Sequence, residues 1–275
     1  MTADLHIHST ASDGRLSPGE IVRQAAAAGL SHIAITDHDT VAAHLELRAA
    51  GSKENRLAVI PGIEFSTDLP GHEVHILGYF IDIDNSRLRD QLEIILDDRL
   101  QRSKKMVQKL KQLGYVIDYD KVVEFAGRAM AIGRPHIAQA LVDGNYFDTV
   151  KEAFAVLLAN NGPAYVPHYK LTPEQAIRLI EQAGGIAVLA HPGLIGDDNL
   201  VLTMIKAGVR GLEAFHPDHD QAMTNKYLAI ANKYNLKITG GSDFHAIPGR
   251  YPEKIGEFTI SAILVDALQG NVSFT

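Results

Sequence analysis

Several of the 13 histidines fall within or directly after short apolar segments, where their imidazole rings could share one site. If these segments are parallel strands of one sheet, side chains at the strand ends collect at one edge. The histidines in such positions are His6, His8, His38, His75, His191, His216 and His245. Imidazole nitrogens are good ligands for manganese, iron and zinc, so this distribution predicts a metal centre.

The first apolar segment carries two histidines with a spacing of two residues, in Asp4-Leu5-His6-Ile7-His8. Side chains alternate along a strand, so both rings should point to the same face and could bind one metal ion. A hydrogen-bonded structural histidine is the alternative for either ring taken alone. Asp243 and His245 repeat the same spacing after the glycines at 240 and 241.

Acidic residues accompany the histidines at other strand ends. Glu64 follows an apolar segment, and a carboxylate can bridge two cations through its two oxygens. His38 lies in Thr36-Asp37-His38-Asp39, where a helix-capping turn is the alternative role for the two aspartates. An exposed loop position is the alternative for Glu64, and an interior hydrogen-bonded ring is the alternative for His75. Burial of so many titratable groups without cations would carry a large desolvation cost.

The hydrophobic pattern alternates between strands and helices in both halves of the chain. Strands are predicted at residues 4–9, 32–36, 57–63, 73–81, 186–190, 211–215 and 237–241, with an edge strand after residue 257. Helices are predicted at residues 17–29, 40–50, 86–113, 119–126, 134–143, 149–160, 173–183, 200–207 and 222–234. Several strands are apolar on both faces, which predicts a parallel sheet covered by helices and a closed or distorted barrel.

The central part of the sequence breaks this rhythm, because it contains helical patterns and no convincing strand. We therefore predict a barrel formed by residues 1–96 and 164–275, with an α-helical insertion at residues 97–163. A chain of 275 residues is long enough for one such barrel and its insertion.

Composition excludes several classes of function. The chain has no cysteine, so it lacks disulfides, thiolate nucleophiles and iron–sulfur clusters, and any metal must be held by His, Asp and Glu. A formal charge of −7 argues against a broad grip on duplex DNA. We see no secretory signal and no apolar run long enough for a membrane span, so we expect a cytoplasmic protein without a membrane partner.

These motifs, taken together, resemble the polymerase and histidinol phosphatase (PHP) family. The matching segments are His6-Ile7-His8-Ser9, Thr36-Asp37-His38-Asp39, Gly62-Ile63-Glu64, His75, Ala190-His191-Pro192 and Ser242-Asp243-Phe244-His245. The resemblance implies an α/β fold, a distorted (β/α)7 barrel with the helical insertion over its mouth, and two to three divalent metal ions (manganese, iron or zinc).

The family pattern also implies the ligands of each ion. By resemblance, the first metal ion takes His6, His8, Glu64 and Asp243, the second takes Glu64, His75 and His191, and the third takes Asp13, His38 and His245. Asp13 stands where some branches of the family have histidine, which leaves the metal preference of the third site open.

Three further segments are similar to a branch of the family that hydrolyses nucleoside 3′,5′-bisphosphates or, in relatives, short RNA from its 5′ end. They are Ile132-Gly133-Arg134-Pro135-His136, Tyr165-Val166-Pro167-His168-Tyr169-Lys170 and Glu213-Ala214-Phe215-His216-Pro217. The resemblance implies that Arg134 and His136 hold a substrate phosphate, with His168 and Lys170 as further substrate-binding candidates. Solvent exposure is the alternative for Arg134 and Lys170.

We expect removal of the 3′-phosphate of a nucleoside 3′,5′-bisphosphate by a hydroxide that bridges two metal ions. Arg134 would offset charge on the phosphoryl oxygens, and the candidate proton donors to the leaving ribose oxygen are His216 and metal-bound water. The alternatives are an exoribonuclease acting on short RNA, an amidohydrolase-type enzyme acting on C–N bonds, and a metal-binding module without turnover. The basic stretch at residues 99–111 could guide RNA, but a solvated helix face explains it better.

Overall fold

A computed structural model describes residues 1–51, 56–69, 72–126, 132–167, 169 and 171–270. One sheet of eight strands organises the protein, in the order β7-β6-β5-β4-β3-β2-β1-β8. The strands are β1 (Thr2–Ile7), β2 (His32–Ile35), β3 (Ala58–Leu69), β4 (His72–Tyr79), β5 (Ile186–Leu189), β6 (Gly211–Phe215), β7 (Lys237–Gly240) and β8 (Ile260–Ser261).

The sheet curls until its two ends nearly meet. Beyond the last residue of β7, Phe244 forms a parallel bridge with Ile7 of β1, and the amide of His8 donates to the carbonyl oxygen of Phe244 at 2.9 Å. The short strand β8 pairs antiparallel with β1 at the sheet's end. The prediction of a distorted, barrel-shaped α/β fold is therefore confirmed.

The expectation of a parallel sheet is wrong for β4, which runs antiparallel to both β3 and β5. Only residues 70 and 71 separate β3 from β4. A parallel connection needs a crossover of a dozen or more residues, so a two-residue link allows only a hairpin. The strand β3 also continues to Leu69, beyond its predicted end at residue 63.

Helices cover the sheet and follow most of the strands. They are α1 (Pro18–Ala27), α2 (Ala42–Ala50), α3 (Ser86–Gln112), α4 (Tyr119–Ala126), α5 (Arg134–Asp143), α6 (Val150–Ala153), α7 (Pro173–Gln182), α8 (Pro192–Ile195), α9 (Asp198–Ala207), α10 (Gln221–Tyr234) and α11 (Ile263–Leu268). A π-helical turn, Phe154–Leu158, continues α6. The short helices α8 and α11 were not predicted, since helices of one or two turns carry little periodic signal.

Local sequence explains where these helices begin. The hydroxyl of Ser17 accepts from the amide of Glu20, and the carboxylate of Glu20 accepts from the amide of Ser17, which completes a capping box. Pro18 occupies the first turn of α1. Thr172 and Gln175 form the same arrangement before α7. Such capping boxes define the first residue of each helix.

The helices of the central region share a hydrophobic core of their own. This core includes Met106, Leu110, Val122, Ile137, Leu141 and Leu157. The core of the barrel half that contains β1 and β2 is separate, with Ile33 and Ile35 packed against Ile21 and Val22 of α1. The predicted boundaries of the insertion at residues 97 and 163 stay a prediction. Among the described residues, no helix combines the length and the apolar character needed to cross a membrane.

Candidate active site

Glu64 lies at the centre of the histidine cluster and is almost completely buried. Its Oε1 atom lies 2.8 Å from Nδ1 of His75 and 3.1 Å from Nε2 of His191. Its Oε2 atom faces three further imidazoles at 3.1–3.3 Å, those of His6, His8 and His38. One carboxylate therefore joins rings from several strands, as expected of a group that bridges two cations.

Three groups of side chains offer ligand atoms that lie within 4.8 Å of one another. They are His6, His8, Glu64 and Asp243; His38, Glu64 and His75; and His8, Asp13, His38 and His245. The first group has the composition predicted for the first metal ion, and the last contains the set predicted for the third. His191 belongs to none of the three groups, but its contact with Glu64 Oε1 places it beside His75.

The donor atoms fit divalent cations. Nε2 of His6 and Nε2 of His8 face each other at 3.1 Å, although two neutral imidazoles can share only one hydrogen there. Within the described part of the chain, Nδ1 of His8 and Nδ1 of His191 are buried without a hydrogen-bond partner. A cation between nitrogen and carboxylate ligands would satisfy such a cluster, as in sites for zinc, manganese or iron.

Electrostatics in the cluster are strongly coupled. Burial lowers the pKa of His8, but hydrogen bonds to Asp243 and Glu64 outweigh burial and raise this pKa to about 10. Burial opposes ionisation of Glu64, yet His38 and the other rings hold its pKa well below the usual range. The carboxylates are thus charged, and their negative charge stabilises positive charge within the cluster.

Two buried aspartates hold the loops that carry predicted ligands. Asp37 accepts from the amide of Ser9 at 2.7 Å and from the hydroxyl of Ser12 at 2.6 Å, so it shapes the loop leading to Asp13. Asp4 accepts from the amide of Ser242 at 2.9 Å and from its hydroxyl at 2.6 Å, directly before Asp243. Asp37 is therefore a loop-shaping residue, and the alternative of a helix cap is wrong for it. Burial raises the pKa of Asp4 to about 6.

The backbone is strained at two predicted ligands. His191 has φ 25° and Asp243 has φ 49°, values that side-chain-bearing residues rarely adopt. Such conformations persist where the surrounding structure imposes them, and they are concentrated at functional sites. Glu213 binds the amide of His191 and Arg250 binds the carboxylate of Asp243, and both side chains lie in the cluster around Glu64.

His75 reaches the cluster by a different route from that predicted. It pairs with Ser66 in the antiparallel β3–β4 ladder and lies in the first half of β4. Because β4 runs opposite to its neighbours, its beginning lies at the edge where the other strands end. The expected direction of β4 is therefore wrong, but the predicted proximity of the His75 ring to Glu64 is observed.

A cavity of about 220 Å³ opens beside the cluster, between the barrel and the helical region. Its lining includes Asp13, His38, Glu73 and His75 from the barrel, and Arg99, Arg102, Arg134 and His136 from the helical region. The amide of Gly133 donates to Nδ1 of His136 at 3.0 Å, so the neutral ring carries its hydrogen on Nε2. We refer to the three arginines and His136 as the cationic wall.

Arg102 is the most deeply buried member of the cationic wall, with 5% exposure. Its Nε donates to the carbonyl oxygen of Val166, while Nη2 lacks a partner among the described residues. Burial and the neighbouring charges of Arg134 and Arg99 lower the pKa of Arg102 to about 10. Arg99 forms a buried ion pair with Asp39. The interpretation of the 99–111 stretch as a solvated helix face is therefore wrong for Arg99 and Arg102, which turn inward.

Arg134 occupies a position intermediate between the cavity and the helical region. Its Nη1 donates to Oδ1 of Asn160 at 2.8 Å, and its guanidinium lies 4.9 Å from the centre of the Phe154 ring. Glu73 approaches its Nη2 at 3.8 Å. The side chain is mostly buried, so the alternative of a solvent-exposed charge is wrong for Arg134. His168 and Lys170 lie outside the described residues.

His216 lies beside Asp243 and does not line the cavity that contains the cationic wall. Its Nδ1 accepts from the amide of Asp218 at 3.1 Å, so the neutral ring carries its hydrogen on Nε2. Nε2 is buried, lies 3.8 Å from Oδ2 of Asp243 and has no hydrogen-bond partner among the described residues. This tautomer suits a hydrogen-bond or proton donor and opposes metal ligation through Nε2.

Sequence reasoning missed three residues with close contacts to this site. Arg102 stood only in a general basic stretch, although the spacing of three from Arg99 places both on one helix face. Glu213 accepts from His6 and from the amide of His191, and Arg250 donates to Oδ2 of Asp243 at 2.6 Å. Arg250 follows the strand region by several loop residues, and no pattern in the sequence links it to Asp243.

Residues 4–237 match the family model described as the PHP domain. The chain is 34% identical over 260 residues to the 3′,5′-nucleoside bisphosphate phosphatase of Chromobacterium violaceum, covering 92% of this chain and 90% of the relative. It is 32% identical over 255 residues to the phosphoribosyl 1,2-cyclic phosphate 1,2-diphosphodiesterase of Eggerthella lenta, covering 92% and 97%. It is 34% identical over 251 residues to the 5′-3′ exoribonuclease Rnm of Escherichia coli, covering 88% and 84%.

The fold is also similar to that of a solved structure. A protein of Bifidobacterium adolescentis, assigned as a metal-dependent phosphoesterase, superposes with a TM-score of 0.85 at 31% sequence identity. The match covers 99% of this chain and 96% of that protein. Nearly the whole chain, including the helical region, therefore has a counterpart in that structure.

Proposed function

The chain belongs to the PHP domain family, and from this premise we propose that it is a metal-dependent phosphoesterase that removes the 3′-phosphate of a nucleoside 3′,5′-bisphosphate. The observation that supports this substrate is the cavity in which candidate metal ligands face the cationic wall. A substrate with two phosphates matches two neighbouring sites, one for the reacting group and one for a second anion.

Nine side chains would hold two to three divalent ions of manganese, iron or zinc. We assign His6, His8, Glu64 and Asp243 to the first ion, Glu64, His75 and His191 to the second, and Asp13, His38 and His245 to the third. When bound, divalent ions lower the pKa of coordinated water and offset negative charge on phosphoryl oxygens. Oε1 and Oε2 of Glu64, which face different rings, would connect the first and second sites.

The cationic wall would bind the phosphate that does not react. Arg102 offers an unpartnered Nη2, and His136 offers an Nε2 hydrogen, both at the same cavity. A guanidinium meets phosphate with two parallel donors, and such charge-assisted hydrogen bonds are stronger than neutral ones. Arg134 would contact the substrate at the border of the cavity. His168 and Lys170 stay predicted substrate-binding residues.

His216 would donate a proton to the leaving ribose oxygen. The hydrogen on its Nε2 lies beside Asp243, which is a predicted ligand of the first ion. A general acid needs a hydrogen within reach of the leaving oxygen, and the buried Nε2 hydrogen of His216, which has no hydrogen-bond partner among the described residues, supports this role. His216 is thus a candidate catalytic residue. Arg134 stays the second candidate, on the prediction that it offsets charge on the phosphoryl oxygens.

A panel of substrates tests the proposal. The enzyme is purified anaerobically and its metals are measured by elemental analysis. Phosphate release is followed from 3′-phosphoadenosine 5′-phosphate and a simple monoester, mononucleotide release from short 5′-phosphorylated RNA, and ring opening of a cyclic amide. We expect the bisphosphate to react fastest and chelation to abolish the reaction. Faster mononucleotide release from RNA would favour the exoribonuclease alternative. Cleavage of the amide would favour an amidohydrolase. Bound metal without turnover of any substrate would favour a metal-binding module without catalytic activity.

We also propose the setting in which the enzyme acts. A net charge of −7 disfavours a broad duplex-DNA surface, so the partners would be small phosphorylated molecules, such as nucleotides, or short RNA. A phosphate-binding cavity of this kind needs no membrane, and we place the enzyme in the cytoplasm. Fractionation of cells that produce the protein would test this location, and recovery in the membrane fraction would contradict it.

A further inference from the structure

Glu213 connects two predicted ligands that come from different strands. It lies on β6 and is completely buried. Its Oε1 lies 2.9 Å from Nδ1 of His6 on β1, and its Oε2 accepts from the backbone amide of His191 at 2.8 Å, just after β5. The proposed function assigns no role to Glu213, although both of its oxygens support the metal centre.

The first of these contacts determines the tautomer of His6. An ionised carboxylate only accepts hydrogen bonds, so Nδ1 of His6 must carry the hydrogen. Nε2 of the neutral ring is then a free lone pair, directed towards Nε2 of His8 at 3.1 Å and Oε2 of Glu64 at 3.2 Å. A histidine can ligate a metal ion only through such an unprotonated nitrogen.

The second contact supports the strained turn at His191. The amide of His191 is held by Glu213 while the residue adopts φ 25°, and Nε2 of its ring lies 3.1 Å from Oε1 of Glu64. The amide of Gly193 donates to Nε2 of His219, so a second bond holds the same turn. A side chain at Gly193 would clash with the His219 ring, which shows how tightly this turn is packed.

We propose that Glu213 is a positioning residue that sets the tautomer of His6 and the direction of His191, so that one nitrogen of each ring faces the cations. This inference rests on the metal centre of the proposed function. Carboxylates behind metal-ligating histidines commonly act in this way, and their loss weakens metal binding.

Glu213→Gln keeps the size and shape of the side chain but removes one of its two hydrogen-bond acceptors and its charge. A glutamine has one accepting oxygen, whereas His6 and His191 each present a donor to Glu213. If the oxygen faces His191, the NH2 group forces Nδ1 of His6 to accept, and the hydrogen moves to Nε2. If the oxygen faces His6, two donors oppose each other at the His191 amide. Either arrangement disturbs one predicted ligand.

The readout is the Zn²⁺ affinity of the protein. A chelator first removes bound metal, and Zn²⁺ is then titrated into the metal-free protein by calorimetry without any substrate. We expect Glu213→Gln to bind Zn²⁺ about 10- to 100-fold more weakly than the wild type. Thr239→Val is the matched control, because Thr239 is buried and pairs with Glu213 in the β6–β7 ladder. Thr239 makes no hydrogen bond to a predicted ligand within the described chain. The Zn²⁺ affinity of the Thr239→Val variant should therefore differ less than twofold from that of the wild type.

Nitrogen NMR of the Zn²⁺-loaded wild type tests the tautomer directly and does not depend on the folding of a variant. We expect the His6 ring to show a protonated Nδ1 and a ligating Nε2, with the signals assigned through His6→Asn. A protonated Nε2 in His6, or equal Zn²⁺ affinities of wild type and Glu213→Gln, would overturn the inference alone. A wild type that binds no Zn²⁺, manganese or iron would overturn the proposed function and this inference together.

Discussion

Nε of Arg102 donates to the carbonyl oxygen of Val166 at 2.7 Å, and this bond fixes the guanidinium at the cavity. Among the described residues, no carboxylate lies within ion-pair distance of Arg102. Burial and the charges of Arg134 and Arg99 lower its pKa, and the more distant Asp98 only partly opposes them. A buried cation without a direct ion pair is costly, and an anionic ligand would reduce that cost. The cationic wall is therefore better suited to an anion than to a neutral substrate.

Arg102→Met should raise KM for the bisphosphate while kcat changes little. Methionine keeps most of the apolar length of the side chain but removes every hydrogen-bond donor. Loss of a charge-assisted hydrogen bond costs about 1.5–3 kcal/mol, so we expect kcat/KM to fall about 10- to 100-fold. Steady-state phosphate release from 3′-phosphoadenosine 5′-phosphate provides the measurement.

Two comparisons isolate the effect of Arg102. Lys105→Met removes an exposed charge one turn away on α3 and should leave KM unchanged. A 3′-nucleotide without a 5′-phosphate should react similarly with wild type and Arg102→Met, because its second anion is missing. Equal losses on both substrates would show that Arg102 does not bind the non-reacting phosphate.

The ligand-bearing strands could be predicted because strand periodicity and strand ends are local properties. Two residues of spacing place His6 and His8 on one face whatever the remaining chain does. The alternation of strands and helices also indicates the barrel. In contrast, the direction of β4 depends on the two-residue link at positions 70 and 71, which the hydrophobic pattern does not show.

The supporting residues could not be predicted, because their roles arise from contacts between distant segments. Glu213 and His6 are separated by 207 positions, and Arg102 reaches Val166 across 64 positions. A buried glutamate in a short strand and an arginine in a basic helix each have several ordinary explanations. Only the folded arrangement distinguishes these explanations.

Glu64→Gln should abolish metal binding and activity without unfolding the protein. The amide has the shape of the carboxylate but lacks its charge, while the rings of His75 and His191 meet at Oε1 and those of His6 and His8 at Oε2. We expect metal content to fall to less than about a tenth of the wild-type value, since loss of even a residue that only supports a ligand weakens metal binding about 10- to 100-fold. Elemental analysis and circular dichroism provide the two readouts.

Glu46→Gln serves as the control, since Glu46 is an exposed residue of α2. It should keep wild-type metal content and turnover. A Glu64→Gln protein that retains full metal content would contradict the bridging role. A variant that loses its circular dichroism signal would assign Glu64 a structural role instead.

The buried ring of His44 should make stability depend on pH. Nε2 of His44 contacts the carbonyl oxygens of Ile35 at 2.9 Å and Gly62 at 3.0 Å, and burial lowers the pKa of this histidine. The unfolded chain then binds a proton more readily than the folded protein. The stabilisation by neutral His44 is therefore fully present above the ordinary histidine pKa of about 6.5 and is lost as the pH falls.

Urea unfolding of wild type and His44→Gln in the presence of a chelator measures this effect. We expect the variant to be about 1–3 kcal/mol less stable near pH 8, with a gap that narrows towards pH 5. His72→Gln changes an exposed histidine and should show no such narrowing. A gap that widens as the pH falls would contradict a depressed pKa for His44.

His216→Asn should slow the chemical step while metal content and KM stay near their wild-type values. Asparagine can still accept from the amide of Asp218 through Oδ1, but it lacks the imidazole Nε2–H that lies 3.8 Å from Oδ2 of Asp243. Loss of a general acid costs about 100- to 10,000-fold in kcat for a poor leaving group such as ribose.

A 4-nitrophenyl phosphate ester tests the role in proton donation. Its leaving group, 4-nitrophenolate, departs without a proton, so the variant should hydrolyse this ester almost as fast as the wild type. His32→Gln, a change at the start of β2, is the control for loss of a histidine. Equal losses of kcat on the nucleotide and the nitrophenyl ester would show that His216 does not donate the proton.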